Sequence, residues 1–164
     1  GIQIYLEPDE VLICEIIGRL RSINSRTANV VDYKVGAHNG EDADVMGVKA
    51  EYAFAKVFNT FPDLGLTPRS GSADGVLMGV SYDVKSTRYP NGKLIATTKI
   101  NPDVDMYVLA VVTEPNEIDI KGYLLKEHFI KKTNIPTLGH GECYCVEQTA
   151  LNKFKKVKKQ PTRS

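Results

Sequence analysis

The sequence predicts a mixed α+β fold of the broad α/β class, with one central mixed sheet flanked by helices. Three observations carry that expectation. Two segments with helical apolar spacing come first. A run of short strand-like segments follows, one of which, Met106–Val112, is apolar throughout. The 164 residues fit one domain and contain no internal repeat or evident linker.

Residues 8–23 read as the first helix, with Val11, Leu12, Ile16 and Leu20 forming the stripe expected to face the core. Residues 24–41 are polar and irregular, with Gly36 and Gly40, and read as a connector or a mobile loop beside a substrate. The second helix is expected over 42–60. Val45, Val48, Tyr52, Ala55 and Val57 or Phe58 recur at helical spacing, Asp42 or Asp44 can cap its start, and Phe61-Pro62-Asp63 ends it. A Gly- and Ser-rich loop with Arg69 spans 64–73. Strands are expected in the 72–87 hairpin, at Lys93–Thr98, at Met106–Val112 as the buried centre, and at 119–124. Leu125–Lys131 reads as a short helix, 143–147 as an edge strand, and 148–156 as a helix running into a basic tail.

Net charge is only +1, but its distribution is uneven. Lys153, Lys155, Lys156, Lys158, Lys159 and Arg163 crowd the last twelve residues without an acid, which leaves about −5 on the rest. The expected division is a folded unit over 1–152 and a basic C-terminal tail over 153–164. The tail suits either phosphate-backbone contact, with Lys155 and Lys156 as candidates, or simple solvation. No segment is apolar enough to span a membrane, and no basic-then-apolar leader pattern opens the chain. Cys14, Cys143 and Cys145 are odd in number, two of them one residue apart, which argues against a disulfide framework. A cytoplasmic protein is the expectation.

The chemistry concentrates in Asp74-Gly75-Val76-Leu77-Met78-Gly79-Val80-Ser81-Tyr82-Asp83-Val84-Lys85. Two apolar runs meet at Gly79, as in a tight hairpin. A Met78-Gly79 turn sets Leu77 against Val80, Val76 against Ser81, Gly75 against Tyr82, and therefore Asp74 against Asp83. Directly opposed residues have Cβ atoms roughly 4.5–5.5 Å apart, so two bare carboxylates there repel, and a divalent cation between them reverses the sign. Lys85, two residues beyond Asp83, projects from the same face. The Asp-x-Lys tripeptide occurs three times, at Asp32, Asp83 and Asp119, but only the middle copy has an acid on a neighbouring strand. Glu51 adds a further acid, on a helix and among small and apolar residues.

Together, Glu51 on a helix, Asp74 on one strand and Asp83-Val84-Lys85 on the next resemble the core of the PD-(D/E)xK nucleases, the restriction-endonuclease-like superfamily. The resemblance covers about residues 45–113, and Ala73 stands where the name-giving proline would be. It implies a restriction-endonuclease-like domain that hydrolyses phosphodiester bonds in DNA, RNA not being excluded, with structure-specific or weakly specific cutting. It also implies Mg²⁺ or Mn²⁺ held by Asp74, Asp83, the Val84 carbonyl and Glu51, directly or through water, and Lys85 orienting the attacking water. Hard oxygen ligands suit those ions. Ser86, Thr87, Arg88 and Arg69 are further candidates for backbone contacts, and a homodimer would supply two sites for duplex cutting. A non-catalytic nucleic-acid-binding or assembly module on the same fold is the competing expectation.

Other groups are less telling. His140, Cys143 and Cys145 lie close together, but Cys-x-Cys is tighter than the usual zinc spacing. A fourth ligand such as His128 would have to come from elsewhere, and the two cysteines read rather as buried small apolar residues on one strand face than as zinc ligands. Cys14 reads as core, and Tyr107, Tyr123 and Tyr144 as packing residues.

Overall fold

The computed structural model describes residues 1–27, 37–66, 73–136 and 142–155. The chain runs through β1 (Ile2–Tyr5), α1 (Pro8–Thr27), α2 (Ala37–Phe58), β2 (Gly75–Leu77), β3 (Val80–Thr87), β4 (Leu94–Thr97), β5 (Met106–Thr113), β6 (Glu117–Leu125), α3 (Lys126–Phe129) and β7 (Cys143–Val146). The mixed α+β expectation holds. One sheet has the order β1-β6-β5-β3-β2, with β3 parallel to β5 and the other neighbours antiparallel, and β4 pairs with β7 in a second, two-stranded sheet.

β5 is the central strand, and seven of its eight residues are buried. Its alternation divides the core. Met106, Val108, Ala110 and Val112 face the helices, beside Val48, Ala53 and Phe54 of α2 and Cys14 and Ile17 of α1. Tyr107 and Leu109 face Phe129 of α3, Leu94 and Ala96 of β4, and Val146 of β7. Each fully buried aliphatic or aromatic side chain contributes roughly 1.5–3 kcal/mol, so a strand covered on both sides anchors the domain.

α1 begins as its sequence dictates. Pro8 takes a helical position that needs no N–H, Asp9 and Glu10 oppose the positive helix end, and Glu10 Oε1 accepts a 2.8 Å hydrogen bond from the Glu7 N–H. The expected inward stripe, however, is corrected. Cys14, Ile17, Gly18 and Ser22 face inward, Val11 is half-buried, and Leu12, Ile16 and Leu20 are exposed. α1 packs on α2 rather than directly on the sheet. That close helix–helix contact uses the face with the smaller side chains, where Gly18 lies against Val45. α2 starts five residues earlier than expected and α1 ends four residues later, so both consume parts of the segment read as irregular; residues 28–36 lie outside the described set.

Two further expectations change. β1 went unread in the sequence, although it pairs with β6 in register Ile2↔Ile120 to Tyr5↔Glu117. The helix expected over 148–156 is a 3₁₀ turn at Gln148–Ala150, after which Asn152 exchanges backbone hydrogen bonds of 2.9 Å with Tyr123. Phe154 then packs on Phe54, Phe58 and Tyr123, with ring centroids 4.6–5.8 Å apart. That aromatic cluster fixes an extended chain where helical propensity alone would decide the other way.

Candidate metal and phosphate site

The hairpin forms with the expected pairing, Gly75↔Tyr82, Val76↔Ser81 and Leu77↔Val80. Its turn residues Met78 and Gly79 have φ of 51° and 80°. Both are left-handed, the requirement of a type I′ turn, which Gly meets freely and Met does not. Gly75 is needed for another reason. A Cβ there would lie 2.5–3.1 Å from the Tyr82 hydroxyl and ring, which pass over it. The Tyr82 hydroxyl lies 3.2 Å from Thr60 Oγ1, which ties the strand to the end of α2.

Asp74 sits at the bend just before β2. Its N–H donates to the Tyr82 carbonyl at 2.8 Å, and its Oδ2 accepts from the Val84 N–H at 2.7 Å. Its carboxyl also hydrogen-bonds the side chains of Asp83 and Glu51. Asp83 Oδ2 in turn lies 2.8 Å from Lys85 Nζ. Glu51, Asp74, Asp83 and Lys85 are thus one cluster built by α2, the β2 entry and β3.

Electrostatics set the protonation of this cluster. Asp74 is pushed up from an ordinary 3.8 to about 9, first by burial and then by the charges of Glu51 and Asp83; the Val84 N–H pulls the other way. Glu51 is also raised, by burial foremost, against the pull of Arg21. At neutral pH Asp74 therefore holds a proton and donates it within the acid cluster. Among the described residues no group of three or more His, Cys, Asp or Glu side chains forms a ready metal cage. The acids are instead drawn onto one another by hydrogen bonds, an arrangement that a cation would replace by displacing the proton.

Arg21 is the site residue that the sequence reading missed. Its Nη1 lies 3.3 Å from Glu51 Oε2, while Nε and Nη2 donate to the carbonyls of Gly65 at 2.8 Å and Asp63 at 2.6 Å. It holds Glu51 and the segment after α2 in one grip. An arginine on a helix thirty residues from its partner gives no local signal.

The remaining candidates separate. Ser86 and Thr87 continue the strand from Lys85, and all three line a cavity of about 770 Å³ with Tyr89 and Lys93. Arg88 turns away from them into a different cavity of about 490 Å³, beside Lys49 and Glu114. Lys49 is itself buried and ion-paired with Glu114, a structural use of a helix lysine next to the site. Lys155 is exposed; Arg69, Lys156 and His140 lie outside the described residues, as does the Asp32 tripeptide. Cys143 and Cys145 are half-buried on β7, and His128 lies exposed 3.7 Å from Glu127. Cys14 is core as expected, and burial pushes its thiol up to about 12. Tyr107, Tyr123 and Tyr144 all pack against phenylalanine rings. The Asp119–Lys121 tripeptide makes the same 2.8 Å ion pair on β6. Asp-x-Lys on a strand thus yields that pair by itself, and the neighbouring Asp74 and Glu51 set the Asp83 copy apart.

No helix among the described residues is long and apolar enough to cross a membrane. The chain matches no protein-family model, no curated protein and no solved structure.

Proposed function

We propose that this protein is a metal-dependent nuclease of the restriction-endonuclease-like fold that hydrolyses phosphodiester bonds in DNA. One observation carries the reading: the Asp74 carboxyl is wedged between Glu51 and Asp83, with the Lys85 ammonium 2.8 Å from Asp83. A carboxyl forced to keep its proton at neutral pH by burial and two neighbouring acids is costly to a fold unless a cation uses the site. Their oxygen donors fit Mg²⁺ or Mn²⁺. Asp74, Asp83 and the Val84 carbonyl would hold the ion, and Glu51 would bind directly or through water. When bound, such an ion neutralises charge on the scissile phosphate and lowers the pKa of a bound water.

The chain's own residues do the rest. Arg21 fixes Glu51 against recoil when the acids ionise. Lys85, 2.8 Å from Asp83, would orient the attacking water and meet the negative charge that develops on the non-bridging oxygens of the scissile phosphate. Ser86, Thr87 and Lys93 offer hydroxyl and ammonium donors to the flanking phosphates along their cavity.

The test is cleavage of labelled single-stranded, duplex and branched DNA with Mg²⁺ and with EDTA. Metal-dependent cutting that is lost by at least about a hundredfold in Asp83→Ala and in Lys85→Ala, both still folded, is the expected result. Folded variants that cut at the normal rate refute the assignment.

A non-catalytic nucleic-acid-binding module is favoured by a different feature. With Arg21 on Glu51, Lys85 on Asp83 and a proton on Asp74, every acid is already satisfied. Retained DNA binding without cleavage of any of these substrates would select that reading.

A further inference from the structure

The outer face of α1 is apolar where a helix face open to solvent should be polar. Leu12 is 55% exposed, Ile13 40%, Ile16 49%, Leu20 37% and Ile23 50%. Ile13, Ile16, Leu20 and Ile23 recur at intervals of three, four and three, the a/d spacing of a coiled-coil seam rather than scattered surface aliphatics. With roughly 190 Å² accessible on a free leucine or isoleucine, the five expose about 430 Å² per chain. A stable interface needs about 800 Å² per partner, somewhat more than half of it apolar.

We propose that α1 is a homodimerisation helix that pairs antiparallel with α1 of a second copy about a two-fold axis near Gly18. The occupant follows from the pattern. The seam is palindromic: a two-fold axis at Gly18 sets Ile13 against Ile23 and Ile16 against Leu20 of the other copy, so one face is its own complement. Charge agrees with the same symmetry. Asp9 and Glu15 lie in the N-terminal half of α1 and Arg19, 61% exposed, in the C-terminal half, while Glu10 and Arg21 are turned away to Lys56 and Glu51, so antiparallel pairing brings acidic ends toward basic ends and opposes the helix dipoles. Parallel pairing stacks like charges instead. Gly18 itself is buried against Val45 of α2, on the side away from the seam, so the dimer leaves the α1–α2 contact intact. The proposal is independent of the nuclease reading, because none of the seam residues belongs to the acid cluster.

Sedimentation equilibrium of the full chain tests it. The wild type is expected to be dimeric at micromolar concentration. Ile16→Glu and Leu20→Glu, each placing two carboxylates in the seam, should raise the dissociation constant by at least about a hundredfold while the circular dichroism spectrum holds and the thermal midpoint loses its dependence on protein concentration. Ile95→Glu, at an equally exposed aliphatic on β4, should leave the dimer unchanged. Orientation is read by disulfide trapping in a Cys143→Ser/Cys145→Ser background. Ile16→Cys mixed with Leu20→Cys should crosslink, and each alone should not. A wild type that is monomeric at tens of micromolar, a dimer indifferent to both glutamates, or efficient crosslinking of Ile16→Cys with itself would overturn the proposal.

Discussion

Asp74→Asn should stabilise the metal-free protein, and by an amount that depends on pH. The Asp74 carboxyl is raised in the fold from an ordinary 3.8 to about 9. Below the lower value it is neutral in both folded and unfolded chains, so the favourable neutral form is fully present at no cost. Between the two, the unfolded chain ionises while the folded one keeps its proton, and folding loses about 1.4 kcal/mol of stability per pH unit. At pH 7, about three units above the ordinary value, the upper limit is about 4 kcal/mol; local relaxation and water entry reduce it to something on the order of 2–4 kcal/mol. Asparagine removes that cost and keeps the contacts. Its oxygen accepts from the Val84 N–H, and its amide donates to Glu51 or Asp83 as the protonated acid does. For a domain of this size the gain corresponds to a rise of about 5–10 °C in thermal midpoint. Melts of both proteins in EDTA from pH 4 to 8 measure it. The difference should be near zero at pH 4 and grow steadily upward. An Asn variant that is less stable at pH 7, or a difference that does not change with pH, would refute the protonated-cluster description.

Other consequences follow from the same geometry. On the proposed reading Mg²⁺ binds by displacing the Asp74 proton, so its affinity should rise up to about tenfold per pH unit between pH 6 and 8, with close to one proton released per ion; calorimetry in buffers of different ionisation enthalpy reads both. Gly75→Ala drives a methyl into the Tyr82 ring and should cost about 1–3 kcal/mol in denaturant unfolding; an unchanged midpoint would show that the ring can move aside. Met78→Asn relieves a left-handed residue in a turn that Asn tolerates and should add about 0.5–1 kcal/mol without altering any metal response.

How far the sequence speaks differs between parts of the molecule. β5 was legible because seven buried residues in a row leave a continuous apolar run, and the β2–β3 hairpin because alternation converging on a glycine fixes register. From register alone, Asp74 and Asp83 could be set side by side. α1 was misread on its inner face because its largest aliphatics form the outer stripe, while Cys14, Gly18 and Ser22, which carry weak hydrophobic signals, face inward. β1 is only four residues long and belongs to the sheet through pairing with β6, far along the chain, which no local window senses. Arg21 escaped for the same reason: its value lies in joining Glu51 to the carbonyls of Asp63 and Gly65, contacts thirty to forty-four residues distant.

A crystal soaked in Mn²⁺ and measured for anomalous scattering tests the central claim most directly. The ion is predicted between the carboxylates of Asp74 and Asp83, with Glu51 beside it and the Asp74 proton gone. Anomalous density elsewhere, or none at all while Asp74 stays hydrogen-bonded to Glu51 and Asp83 at pH 8, would contradict it.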